Sequence, residues 1–115
     1  MISKRGGLGV AAALGLAAAA LIPAAAFGGA HAASHRHVTL REHLFHPATA
    51  NINRGDSVTW LWRDGETEHN VTFRGFHSRT QASGSYTVKF THRGTFKYRC
   101  TIHEAEGMRG KVIVH

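Results

Sequence analysis

From Val38 onward, apolar and polar residues alternate in short runs with a period of two rather than 3.6. Val38 and Leu40 alternate with Thr39 and Arg41, Leu44 continues the apolar face, and Pro47 ends the strand. Ile52 leads into a turn at Arg54-Gly55-Asp56. Val58, Trp60 and Trp62 share one parity, and Asp64-Gly65 marks the next turn. Val71 and Phe73 follow, then Gly75. Tyr86, Val88 and Phe90 alternate with Thr87, Lys89 and Thr91, and Arg93-Gly94 makes another turn. Phe96, Tyr98 and Cys100 alternate with Thr95, Lys97 and Arg99, and Val112 and Val114 close the chain. Seven or eight strands spaced at about ten residues predict an all-β protein, an antiparallel sandwich or barrel. No internal repeat interrupts the pattern.

The first third reads differently. Lys4 and Arg5 precede a run from Gly6 to Ala30 without a charge, and Ala30-His31-Ala32-Ala33 supplies small residues at its end. A basic start, an apolar stretch and an A-x-A site predict a signal peptide over residues 1–32, cut after Ala32. The uncharged run is also long enough to span a bilayer, so an uncleaved segment would act as an anchor. Pro23 and the many Ala and Gly residues argue against that. A flexible His-bearing tail is expected over residues 33–37 and one folded domain over residues 38–115. The destination is the periplasm, the cell surface or the exterior.

Composition narrows the chemistry. The 115 residues allow one domain and exclude a Rossmann-type or barrel enzyme. The single cysteine excludes an internal disulfide framework and any four-cysteine zinc or iron–sulfur site. Removing the leader leaves 12 basic residues against 7 acidic ones, a net +5. The basic residues are scattered, and with export they argue against nucleic acid as a partner. They suit encounter with acidic proteins, plain solubility being the alternative. No nucleophile–base pair or paired carboxylates in a plausible cleft order appear, so an enzyme is not expected.

Cys100 shares its face with Phe96 and Tyr98, the aromatic and therefore buried side. His69 shares parity with Val71 and Phe73 and should also point inward. After Cys100 the spacing to His103 and Met108 is C-x2-H-x4-M. A helix would not bring these three to one face, whereas a loop closing on one ion would. A thiolate, two imidazoles and a thioether suit copper in both oxidation states, since Cu(I) favours sulfur and Cu(II) favours nitrogen. For each residue a plainer role exists: Cys100 and Met108 as core side chains, and His69 as one buried histidine among many.

The run Tyr98-Arg99-Cys100-Thr101-Ile102-His103-Glu104-Ala105-Glu106-Gly107-Met108-Arg109-Gly110-Lys111-Val112 resembles the copper loop of the cupredoxins, the type 1 blue copper family, in its plastocyanin and amicyanin group. Glu68-His69-Asn70-Val71 resembles the segment carrying that family's first histidine. Phe45-His46-Pro47, Ile52, Gly55-Asp56, Val58 and Trp60 resemble its early strands. The resemblance implies a Greek-key β-sandwich holding one type 1 copper. It implies His69, Cys100 and His103 as equatorial ligands, Met108 as the weak axial ligand, and Asn70 as a brace for the Cys loop. It also implies His103 as the electron port. Ile102 stands where the family often has proline, and Glu104 and Glu106 add carboxylates to a loop that is usually more neutral.

The remaining histidines, His35, His37, His43, His46, His77, His92 and His115, read mostly as exposed and solvated. Cleavage after Ala32 would leave Ala33-Ser34-His35 at the terminus, where an amine, two amides and an imidazole form a square-planar secondary Cu(II) site. The leading reading is an exported monomeric carrier that shuttles single electrons between redox proteins. The alternative is an extracytoplasmic copper-handling protein without a redox role, and a third is a metal-free secreted interaction module. Membrane contact is expected only if the leader stays uncleaved.

Overall fold

In the computed structural model residues 32–115 are described, and the leader expected over residues 1–32 lies outside them except for its last residue, Ala32. The strands are β1 His35–Arg41, β2 Leu44–His46, β3 Thr49–Ile52, β4 Ser57–Trp62, β5 Thr72–Phe73, β6 Ser85–Lys89, β7 Gly94–Arg99 and β8 Arg109–Val114. A single 3-10 turn, Glu104–Glu106, lies between β7 and β8. One sheet runs β2-β1-β4-β6 and the other β3-β8-β7-β5. Among the described residues no helix is long and apolar enough to cross a membrane.

The expected alternation defines the faces. Val38, Leu40, Val58, Trp60, Trp62, Tyr98, Val112 and Val114 are all buried, and side chains of both sheets form one core. Aromatic rings fill its centre. Trp60 meets Phe73 and Tyr98 edge to face, at centroid distances of 5.6 and 5.3 Å, and Phe45 meets Tyr98 in the same way at 4.7 Å. Such edge-to-face pairs place the positive ring edge on the negative ring face.

Three expectations change. The sheets are mixed rather than antiparallel, because β1 pairs parallel with β4 and β3 parallel with β8. Alternation reports which face is buried and carries no information about the direction of the neighbouring strand. Leu44 is 41% exposed, and Phe45 is buried in its place. The two-residue turn Glu42-His43 has both residues at positive φ, 57° and 56°, and it restarts the parity at Leu44. This is the backbone of a type I′ hairpin, built here without the usual Asn or Gly. Finally, β1 starts at His35, inside the stretch expected as a tail. His35, Arg36 and His37 are exposed yet lie in register with Ser57, Val58 and Thr59. The Ser34 N–H also donates to Asp56 Oδ1 at 2.8 Å. Ladder bonds to a distant strand leave no hydrophobic signature, so this part of the strand is silent in the sequence.

Candidate metal centre

Cys100 follows directly on β7, with its side chain on the buried face. The chain then makes one short loop and returns as β8. The Cys100 N–H donates to the Met108 carbonyl at 3.1 Å, and the Met108 N–H donates to the His103 carbonyl at 3.2 Å. Gly107, at φ 95°, ends the 3-10 turn in a left-handed conformation that glycine adopts without strain. Cys100, His103 and Met108 are therefore held at one end of the sandwich, and Cys100 and Met108 have no exposed surface.

His69 arrives from the other side of the site. Its N–H donates to the Gln81 carbonyl at 2.9 Å. Its own carbonyl accepts from the Gln81 N–H at 3.1 Å and from Trp62 Nε1 at 3.0 Å. The side chain has no exposed surface, as its parity with Val71 and Phe73 predicts. His69 Nε2 lies 2.7 Å from Asp64 Oδ2. Donation of the Nε2 proton to that carboxylate turns the Nδ1 lone pair toward Cys100 and His103. The same hydrogen bond holds the Asp64 carboxyl below its ordinary pKa. In the sequence Asp64 stands out only as a turn residue, and its place five residues before His69 is the one further signal there.

The donor atoms converge. His69 Nδ1 and His103 Nδ1 are 3.1 Å apart, and Cys100 Sγ lies 3.8 Å from the first and 3.6 Å from the second. The circle through these three atoms has a radius of roughly 2 Å, the length of a metal–nitrogen bond. Packing three electron-rich atoms this closely is favourable when one cation lies among them. Burial, and then the neighbouring His43 and His69, push the His103 imidazole below its ordinary pKa, which favours the neutral form a metal needs. One thiolate and two imidazoles, with a buried thioether in the same loop, match copper better than zinc.

Asn70 ties the His69 segment to the Cys loop. Its Oδ1 accepts from the Thr101 N–H at 3.0 Å and the Thr72 hydroxyl at 2.8 Å. Its Nδ2 donates to the Thr101 hydroxyl at 2.8 Å and the Thr80 hydroxyl at 3.0 Å. Two accepted and two donated bonds use every hydrogen-bonding position on the buried amide.

The family model for copper binding proteins of the plastocyanin/azurin family matches residues 34–115. The chain belongs to this family. As a cupredoxin it takes copper as its cofactor. It is 40% identical to the chloroplastic plastocyanin of Tetradesmus obliquus, over 62% of this chain and 58% of that protein. It is 38% identical to the amicyanin of Paracoccus denitrificans, over 56% of this chain and 53% of that protein. The chain thus spans between half and three-fifths of the length of these two relatives. A solved structure of the Cu(I) form of an amicyanin mutant superposes with a TM-score of 0.65 at 29% identity, covering 76% of this chain and 88% of that one.

Two departures from the usual cupredoxin loop now have surroundings. Ile102 is among the exposed large apolar residues. Glu104 meets Arg99 Nε at 3.1 Å and Arg109 Nη2 at 3.5 Å, linking the ends of β7 and β8 across the loop. Glu106 lies 3.1 Å from His43 Nδ1. His43, read from sequence as a solvated histidine, instead lies flat on His103 at a centroid distance of 4.2 Å and an interplanar angle of 13°. Nothing local in the sequence marks it, since His43 and His103 meet only through the fold.

Ala33, Ser34 and His35 are exposed. The His35 ring is engaged with the Thr59 hydroxyl at 2.8 Å. A terminal Cu(II) site would have to release this contact and the bond from the Ser34 N–H to Asp56.

Proposed function

We propose that this cupredoxin is an exported electron carrier without catalytic activity of its own. His69, Cys100 and His103 act as the strong copper ligands and Met108 as the weak axial one. Copper would supply the one-electron couple between Cu(I) and Cu(II). The observation that carries the reading is the convergence of two imidazole nitrogens and one thiol sulfur on a circle the size of a metal site. The chain's own residues hold this set in place. Asp64 sets the proton of His69, Asn70 ties its segment to the loop, and the backbone bonds between Cys100, His103 and Met108 close the loop. A donor set held by the fold rearranges little when an electron arrives or leaves, which suits a carrier.

Export is supported by the leader pattern. The periplasm or cell exterior is the expected compartment for the mature domain. The net positive charge supports acidic redox proteins as partners, met by a monomer. The copper-handling alternative draws on one observation: His35 and His37 stand on the same exposed side of β1, with ring centroids 5.8 Å apart. There, or at the Ala33-Ser34-His35 terminus, a second Cu(II) ion would bind.

Adding one equivalent of Cu(II) to the copper-free protein tests the reading. An intense blue thiolate-to-copper band with narrow copper hyperfine splitting in EPR is expected, and Cys100→Ser should abolish the band. A pale spectrum with wide splitting, lost in His35→Ala, would move the function to copper handling.

A further inference from the structure

The buried donor set is bordered by a second group of metal-ligand side chains. His43, His103 and Glu106 offer donor atoms within 4.8 Å of one another, as His69, Cys100 and His103 do. His103 belongs to both groups. The difference is access. His69 and Cys100 have no exposed surface, whereas the side chains of His43 and Glu106 are 45% and 59% exposed.

The outer pair is held in position. His43 occupies the second residue of the β1–β2 turn in a left-handed conformation, uncommon outside glycine but one that histidine, like asparagine and aspartate, adopts more often than other residues. Its N–H donates at 3.2 Å to Asp64 Oδ2, the same oxygen that accepts from His69 Nε2. One carboxylate oxygen therefore orients both histidines. The His43 ring lies parallel to His103 and edge-on to His69. Glu106 is fixed by its N–H, which donates to the His103 carbonyl at 2.9 Å. The 3.1 Å between His43 Nδ1 and Glu106 Oε1 suits two ligands on one ion, since bonds of about 2 Å would meet there at roughly 100°. One imidazole and one carboxylate are donors that hydrated Cu(II) accepts readily, and only two of them make a weak site that lets the ion go.

We infer that His43 and Glu106 form a loading site, where Cu(II) is first captured and then passed across His103 to the buried donors. This rests on the buried set being the copper centre. The transfer is a ligand exchange. Bonds to His43 and Glu106 break, bonds to His103, His69 and Cys100 form, the Cys100 thiol proton passes to solvent, and no electron moves. Strapped to the turn by Asp64, the capture site stays aligned with the mouth of the buried one.

Stopped-flow mixing of the copper-free protein with increasing Cu(II), followed by visible absorption and freeze-quench EPR, tests the inference. Wild type should show a loading rate that saturates with copper and an early pale species with wide hyperfine splitting. His43→Phe keeps a flat ring against His103 but has no donor, and Glu106→Gln removes only the charge. In both, loading at low copper should slow by about tenfold or more and become linear in copper concentration. The final blue absorbance should match wild type. Equal rates in all three proteins would overturn the inference. So would a variant that never reaches the wild-type blue amplitude, because its residue would then be holding the centre together. Absence of a blue band in wild type would instead remove the copper-centre reading itself, and the inference with it.

Discussion

Asp64 and Tyr98 show how single side chains set the properties of this molecule. Asp64 Oδ2 accepts from both His69 Nε2 and the His43 N–H, so it orients the His69 ring and anchors the turn above the site. Asp64→Asn keeps the shape but can present its amide in place of an acceptor. Copper affinity, read by competition with a chromophoric chelator, should fall about 10- to 100-fold while the fold persists. Tyr98 is different: its hydroxyl and Trp60 Nε1 are buried near each other without the geometry of a full hydrogen bond. Burial pushes the Tyr98 pKa up from 10.0 to about 12. The fold favours the neutral phenol, so this contribution is fully present below pH 10 and is lost as the pH rises toward 12. The loss amounts to about 3 kcal/mol at most, and it should vanish in Tyr98→Phe when urea unfolding is compared at pH 9 and pH 12. At neutral pH the same substitution removes an unsatisfied buried hydroxyl and should leave stability equal or higher.

At the scale of elements, the β7–β8 pair and the β1–β2 hairpin carry opposite lessons. Tyr98 on β7 lies in register with Gly110 on β8. A Cβ on Gly110 would stand 2.5 Å from the Tyr98 ring and 2.9 Å from the Ala48 carbonyl oxygen. One neighbour is backbone and the other a packed ring, so neither yields easily. Gly110→Ala should cost about 1–3 kcal/mol, measured by urea or thermal unfolding. Because Gly110 follows Met108 by two residues, the loop should loosen as well. The hairpin turn has room for improvement instead. Glu42 sits at φ 57°, and its ion pairs with Arg41 and His46 are exposed and weak. Glu42→Asn suits the left-handed conformation and should raise stability by about 0.5–1 kcal/mol in the same unfolding assay.

For the whole molecule, the deciding quantity is the excess of basic over acidic residues. Charges spread over a small domain act through the long-range field rather than through individual contacts. Electron exchange with an acidic redox protein should therefore slow as salt is raised through the range where the screening length shrinks from about 10 to about 3 Å. A rate indifferent to salt would mean that the charge serves solubility alone. The sandwich decides where the site lies. Its two sheets, each with one parallel and two antiparallel pairings, carry the Cys100 loop and the His69 segment to the same end of the core.

What the amino-acid sequence determined alone is local. Side chains alternate across a strand, so Trp60, Trp62, Tyr98 and Cys100 could be assigned to the buried side without knowing any neighbour. Cys100, His103 and Met108 lie within nine residues, so one short loop suffices to gather them. The tertiary structure alone decided the rest. It brought His69 to Cys100 across 31 residues, and it set His43 against His103 across 60. It also chose the parallel partners of β1 and β3, paired His35 into a strand, and turned Leu44 outward at a hairpin without glycine. These outcomes depend on which segments meet in space. A meeting of that kind is stabilised by groups far apart along the chain, and neither segment carries a local mark of its partner.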